Sequence, residues 1–336
     1  MTKRITVVQV AEAANVSPAT ASRALAGNSS VDPALAKRVL EARDQLGYRA
    51  NFLARALRTS RTDTVGVIVP SVSNPYFLSV IESLELAFDE VGRSIILCDS
   101  QGSIENETRR IHTLRQHMVD GLVIIPMRNR PHSDALENIA RTMPVVLFDR
   151  FVPIGGVDFV GSDDDYGVRE SVNHLLQSGC TSFAYIGSQP DSSTAEARLV
   201  AFRAAMLESG EGVRFCEFLG GFSADFGREA AQRLVRDGYV PDAILCAADV
   251  IAIAVLDVLR GSHIAVPDDV KLVGYDGLWL SSIFSPRLST VEHPLDQMAH
   301  ATVGLLRSRQ ENPLLENRTR IFQPRLIIRE SSRGSE

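Results

Sequence analysis

Five polar residues close runs of apolar sequence in the long second part of the chain. Ser71 follows VGVIVP, and Asp99, Asp149, Asp249 and Asp276 end SIILCD, PVVLFD, DAILCAAD and VKLVGYD. A parallel α/β sheet binds its ligands beyond the carboxyl ends of its strands, so these are the positions where chemistry is expected. A carboxylate held there away from water can grip vicinal hydroxyls with charge-assisted hydrogen bonds. Each of the five can equally cap the segment that follows. A second kind of chemistry belongs to Arg23, near the N-terminus. On a short helix its guanidinium can hold a guanine edge in bidentate fashion or simply touch a phosphate, and the residues read both ways.

The elements that position the carboxylates follow from the alternation of short Val/Ile/Leu runs with longer amphipathic stretches. To the runs above are added GLVIIP (121–126), DFVGS (158–162), FAYIGS (183–188) and a last strand, LIIRES (326–331). Continuous apolar strands separated by helices predict parallel sheet buried on both faces, a doubly wound α/β body. So many strands exceed one ordinary core, and two lobes with a cleft between them are expected.

Composition restricts the function classes. The chain has 336 residues, 45% hydrophobic and 23% charged, which is ordinary for a globular protein. Its longest apolar stretch, residues 243–256, is broken by Asp249, and the apolar run near the N-terminus meets Glu12 too early for a signal peptide. Four scattered cysteines without a CxxC argue against a zinc ribbon or a disulfide framework, so a reducing cytoplasmic setting is expected, with no membrane contact. The net charge of −6 is uneven: residues 1–62 carry ten Lys or Arg against four acids, and the remainder 25 against 37. A basic head on an acidic body fits a chain that touches a polyanion at one end.

Within that head, Thr6 with Gln9 forms a capping-box pattern ahead of a first helix, and Asn15 stands where the chain must turn. Ser17–Pro18 and Asp32–Pro33 each place a cap before a proline, opening a second helix to about Ala26 and a third ending near Gly47. Small residues Ala11, Ala14, Ala21 and Ala24 permit a close crossing. Two short helices joined by such a turn make a helix-turn-helix, although Ala-rich bundles share the pattern. Residues 51–58 then predict one further helix, too short to be stable alone in water, carrying Leu53, Arg55, Leu57 and Arg58.

The run VVQVAEAANVSPATASRALAGNSSVD, followed by LGYRANFLARALRT, resembles the head and hinge of the LacI/GalR family of transcriptional regulators. The resemblance continues through SNPYF (73–77), FDR (148–150), DDDYG (163–167), EARLVAF (196–202), CAAD (246–249), VGYDG (273–277) and LSTVEHP (288–294), covering nearly the whole chain. It implies residues 1–50 as a helix-turn-helix domain, 51–62 as hinge and linker, and 63–336 as an effector-binding and dimerisation body like the type I periplasmic binding proteins. One lobe of that body would hold about 63–161 plus 292–321, the other about 162–291 plus 322–336. Pro18, Ala19 and Arg23 then fall on base-reading positions, with Thr6, Ser17, Thr20 and Ser22 alongside them at the DNA. Asn51, Ala54, Arg55 and Leu57 fall on the hinge, where a leucine pair would wedge into the central minor-groove step.

The same resemblance places Asp149, Arg198 and Asp276 at the effector; Ser71 at its strand end, Tyr76, Phe77 and Phe222 as an apolar wall, and His293 near the last crossing between lobes join them as candidate contacts. Three departures stand out: Asn15 for the usual turn Gly, Ala50 for the Pro before the hinge, and Ala248 where an Asn usually donates to the effector. The last removes a directional contact and points to a polyhydroxylated metabolite of unusual pattern, or an acidic one paired with Arg198. No GxGxxG after a first strand, GxxxxGK[ST], HExxH or GxSxG occurs, and no catalytic residue, metal or cofactor is expected. The reading is a repressor that binds a pseudo-palindromic operator duplex as a homodimer under control of a small sugar-like effector. A sugar-binding module of a transport system or a carbohydrate-active enzyme stands second.

Overall fold

The computed structural model describes residues 5–25, 30–48, 61–128 and 134–333. The chain divides into two compact units, Met1–Thr62 and Asp63–Glu336.

In the first unit, α1 (Val7–Ala13), α2 (Pro18–Leu25) and α3 (Pro33–Gln45) pack around Val10, Ala11, Ala14, Ala21, Ala24, Val39 and Ala42. Alanine at most of these sites lets the helix backbones approach closely. The caps form as the sequence dictates. Gln9 and Thr6 cap each other reciprocally, Ser17 Oγ accepts from the Thr20 amide at 3.1 Å, and Asp32 Oδ1 accepts from Ala34 and Leu35 at 2.9 and 3.2 Å. Asn15 takes a φ of 49°, which supplies the sharp turn between α1 and α2. Arg38 locks α3 onto that turn through the Ala14 carbonyl, at 2.6 Å.

The second unit holds two six-stranded sheets. The first contains β1 (Thr64–Val69), β2 (Ser94–Asp99), β3 (Gly121–Ile124), β4 (Val145–Phe148), β5 (Val157–Ser162) and β11 (Thr319–Phe322), in the order β11-β5-β4-β3-β1-β2. All its pairings are parallel. The second contains β6 (Ser182–Ser188), β7 (Arg214–Gly220), β8 (Ala243–Cys246), β9 (Lys271–Asp276), β10 (Ser289–Glu292) and β12 (Arg325–Ile327), in the order β12-β10-β9-β8-β6-β7. Its edge strand β12 runs antiparallel to β10, a departure from the all-parallel reading. The chain leaves the first sheet after Ser162, returns after Glu292, and crosses again after Phe322.

Helices α4 (Pro75–Asp89), α5 (Ile104–Gln116) and α6 (Asp134–Ala140) follow the strands of the first sheet. In the second, α7 (Asp164–Gln177), α8 (Ser193–Glu208), α9 (Ala224–Arg236) and α10 (Asp249–Gly261) do the same. The last helix, α11 (Leu295–Glu311), packs back against α4. It is also tied to β5 by buried Asp158, which receives Arg309 at 3.0 and 2.7 Å and Arg318 at 2.8 Å.

Three strands were not foreseen. β7 interleaves Arg214 and Glu217 with its apolar residues because it is a half-exposed sheet edge. β10 is four residues long, and β11 is an exposed edge. None presents the continuous apolar run that betrays a central strand. The run at 326–331 yields only the short β12, and the runs at 121–126 and 242–249 stop as strands at Ile124 and Cys246.

Candidate functional site

In the basic unit, Pro18, Ala19 and Arg23 lie exposed on one side of α2, with Ser17 exposed at its start and Thr20 and Ser22 half-exposed. The opposite side, Ala21 and Ala24, is buried in the small core. This division leaves the outer face of α2 free of any packing duty. Arg23 Nε donates to the Ala19 carbonyl at 3.4 Å, a long contact that tethers the stem near the helix. Thr6 is exposed at the start of α1. The hinge positions Asn51, Ala54, Arg55 and Leu57 lie outside the described residues.

In the body, the strand ends do converge. Asp149 and Asp276 directly follow or close β4 and β9 with φ of 63° and 109°. Non-glycine residues there carry strain on the order of 1–3 kcal/mol, which surrounding contacts must hold in place. Tyr76, in the first turn of α4, donates its hydroxyl to Asp149 Oδ1 at 2.6 Å, and both are buried. Burial raises the Asp149 carboxyl above its ordinary range, with Arg150 and Arg198 opposing.

Arg198 is the hub of this floor. Helix α8 presents it inward, 3% exposed, where a solvated helix arginine was the alternative. Its Nε donates to Asp164 at 2.8 Å, and Nη1 reaches the Ala247 carbonyl at 2.7 Å and Asp276 at 3.4 Å. Nη2 lies 3.3 Å from His293 Nε2, and the guanidinium sits 3.8 Å above the Tyr275 ring. Burial would pull this cation down, but Asp164 holds it well above its ordinary value. Asp276 receives only the longer of the two carboxylate contacts, and burial raises it well above the usual range.

His293 is buried between Tyr76 and Tyr275, with ring centroids 5.2 and 5.4 Å away. Burial and the neighbouring Arg198 push it well below its ordinary value, so it is neutral. It braces Arg198 from behind and is not among the residues lining the recess or the cavity. Asp249 turns into the protein. Its Oδ2 accepts from the Leu278 amide at 2.8 Å, it is wholly buried, and burial lifts it to about 7. Gly274 makes room for it, because a Cβ there would collide with Asp249 Oδ1. Asp99 accepts from the Gln101 amide of its own loop at 2.7 Å and from the Val72 amide of the loop after β1 at 3.4 Å.

The open space has two parts. A recess of about 20 Å³, one water's worth, is lined by Tyr76, Asp149, Arg198 and Asp276, together with Thr194 and Arg150. Sharing Asn74, Phe77, Arg150 and Phe222 with it, a cavity of about 480 Å³ spreads between the lobes. Ser71, Phe77 and Phe222 line the cavity, and its volume suits a small ligand. The floor therefore gathers Tyr76, Asp149, Arg198 and Asp276, while Ser71, Phe77 and Phe222 form the walls. Sequence reasoning missed Asp164, Thr194 and Arg150. Asp164 hides in the acidic run DDDYG, and Arg150 sits one residue past a candidate already chosen. Ala248 caps α10 without a side-chain bond and is 1% exposed, so the missing Asn leaves no acceptor at that helix start.

Among the described residues, no cluster of metal-ligating side chains occurs and no helix is long and apolar enough to cross a membrane. The profile described as bacterial regulatory proteins, lacI family, matches residues 6–51, and that of a periplasmic binding protein-like domain matches 172–332. Among curated relatives, the HTH-type transcriptional regulator RegA of Clostridium saccharobutylicum is 32% identical, covering 97% of this chain and 98% of its own. The HTH-type transcriptional repressor PurR of Photobacterium profundum is 30% identical over the same shares. Among solved structures, the Lac repressor dimer bound to operator and an anti-inducer shares the fold, with a TM-score of 0.86 at 24% identity over 99% of this chain and 100% of that one. A complex of the transcriptional regulator CelR with cellobiose has a TM-score of 0.71 at 28% identity, over 98% and 100%. The chain belongs to the lacI family of bacterial regulatory proteins.

Proposed function

We propose that this chain is a cytoplasmic transcriptional repressor that docks as a homodimer on a pseudo-palindromic operator and is controlled by a small polyhydroxylated metabolite. The observation that carries the reading is the pairing of an exposed α2 face bearing Arg23 with a cleft floored by buried Asp149, Arg198 and Asp276. Base contacts come from Pro18, Ala19 and Arg23, and phosphate contacts from Thr6, Ser17, Thr20 and Ser22. The hinge residues Asn51, Ala54, Arg55 and Leu57 enter the minor groove at the centre of the site. Pro18 and Ala19 have no side-chain donor, so Arg23 carries the polar readout from the start of this helix.

In the body, Asp276 and Asp149 accept ligand hydroxyls, Ser71 adds a hydroxyl, and Phe77 and Phe222 cover an apolar face. Tyr76, Arg198 and His293 hold the acceptors in place. The ligand controls DNA affinity only through its different affinity for two arrangements of the body. The cleft is assigned binding and no reaction. The relatives named above are transcriptional regulators, which supports this assignment.

Selection from a randomised duplex pool at physiological ionic strength tests the DNA half. A two-fold related sequence enriched by the full-length chain, and lost with Arg23→Ala at one symmetric position only, is the expected result. Enrichment of no sequence over random competitor overturns the reading.

A further inference from the structure

The cleft contains a second buried arginine, and its surroundings differ from those of Arg198. Arg150 is 9% exposed and lines both the recess and the large cavity. Its Nη1 donates to the carbonyls of Pro126 and Met127 at 3.4 and 3.1 Å. Its Nε is buried and makes no hydrogen bond. Asp149 stands 3.9 Å from that nitrogen, beyond hydrogen-bond reach, with its Oδ1 occupied by Tyr76. The rings of Phe77 and Phe222 flank the guanidinium at 5.6 and 6.0 Å. Burial pulls this cation below its ordinary value, against the pull of Asp149. The two carbonyls, the 3.9 Å ion pair and the rings offset part of the desolvation, and the unpartnered Nε leaves a hydrogen bond that an anion in the cavity can complete.

The backbone around the cavity favours an anion as well. Asn74 caps α4 and Ser223 caps α9, and both line the cavity. Gly102, another lining residue, immediately precedes Ser103, the cap of α5. Two helix N-termini, those of α4 and α9, therefore open on the cavity, and each places positive potential at its end; the start of α5 lies one residue beyond Gly102 and carries Glu105 and Glu107 in its own first turn. Among the described residues, the carboxylate that lines the cavity is Asp191, which is exposed to solvent and, with Asp149, opposes the effect of burial on Arg150. Arg198 cannot serve the same purpose, because Asp164, Ala247, Asp276 and His293 already surround it.

We propose that the effector is a hydroxylated compound carrying an anionic group, a carboxylate or a phosphate, and that Arg150 seats that group while its hydroxyls reach Asp276 and Asp149. The planar guanidinium fork matches either anion in two parallel bonds. This rests on the cleft being the effector site.

Calorimetric titration of the full-length protein with D-glucuronate, D-galacturonate and D-ribose 5-phosphate, against glucose, galactose and ribose, is the test. At least one acidic probe binds about tenfold or more tightly than its neutral parent, as expected for a hydrogen-bonded charge contact. The carboxylate and phosphate arms decide which anion is preferred. Arg150→Gln removes the advantage of the acid, and Arg150→Lys, which keeps the charge without the fork, retains part of it. Circular dichroism confirms that both variants are folded. Asp276→Asn weakens acidic and neutral probes by the same factor. Tighter binding of the neutral sugars, or equal loss of both classes in Arg150→Gln, overturns the anion proposal and leaves the effector cleft standing. Binding of no probe, with operator affinity unmoved by all six, overturns both.

Discussion

The two buried arginines of the cleft show how one residue type serves two purposes. Arg198 is enclosed by a carboxylate at 2.8 Å, a carbonyl at 2.7 Å, a second carboxylate, a neutral histidine and a tyrosine ring. Each of its three nitrogens has a partner within the protein, so it organises the floor. Arg150 is almost as buried, yet two carbonyls share one of its nitrogens and Nε has no partner. Arg198 is partnered on every nitrogen and serves architecture, whereas Arg150 carries its unsatisfied donor beside the open cavity, where a ligand can reach it.

The largest effect should come from the saturated member. Arg198→Met leaves Asp164 and Asp276 buried without their cation, which costs about 3–5 kcal/mol in urea unfolding. Arg150→Met, removing a cation whose nearest carboxylate, Asp149, stands 3.9 Å away without a hydrogen bond, costs clearly less by the same measurement. Equal losses would erase the distinction between the two sites.

Asp249 sharpens the comparison, because it is a buried acid at the start of α10 that forms no ion pair among the described residues and feels Arg329 and Arg198 only at a distance. Its pKa is about 7 in the folded chain, against about 3.9 for an unfolded carboxylate. The stability tied to its proton is present below about pH 4 and lost as pH rises through 7. Asn does not ionise, so Asp249→Asn should match the parent near pH 4 and exceed it at pH 8, by on the order of 2–4 kcal/mol. Urea midpoints across that range would show it, and a constant difference would place the effect elsewhere.

Smaller effects belong to the head. Arg23→Ala should cost about 1–3 kcal/mol of operator affinity and relax preference at one base position. A uniform loss across all sequences would make it a phosphate contact. Asp32→Ala removes the acceptor for two amides and should cost about 1 kcal/mol in thermal unfolding of the three-helix unit.

The head was nearly legible from sequence because its signals are local. Thr6 and Gln9 cap one helix end, Ser17–Pro18 and Asp32–Pro33 open two more helices, and Asn15 turns the chain, all within a few residues of where they act. The central strands were legible for a related reason, since burial on both faces demands an unbroken apolar run. Edge strand β7 carried no such demand and was missed. The floor of the cleft was legible only in part. Asp149 and Asp276 could be placed at strand ends, but the saturation of Arg198 depends on Asp164, 34 residues away in sequence, and on a backbone carbonyl that no side chain announces. Arg150 was passed over because its importance lies in bonds it does not make, which only packing reveals.

The account stands or falls on coupling between cleft and DNA. The direct measurement is fluorescence anisotropy of the full-length chain on its selected duplex, with and without a saturating cleft ligand, in the parent and in Asp276→Asn. The predicted result is a change in duplex affinity of about 5–150-fold that the substitution abolishes. An affinity indifferent to a ligand shown to occupy the cleft would contradict it.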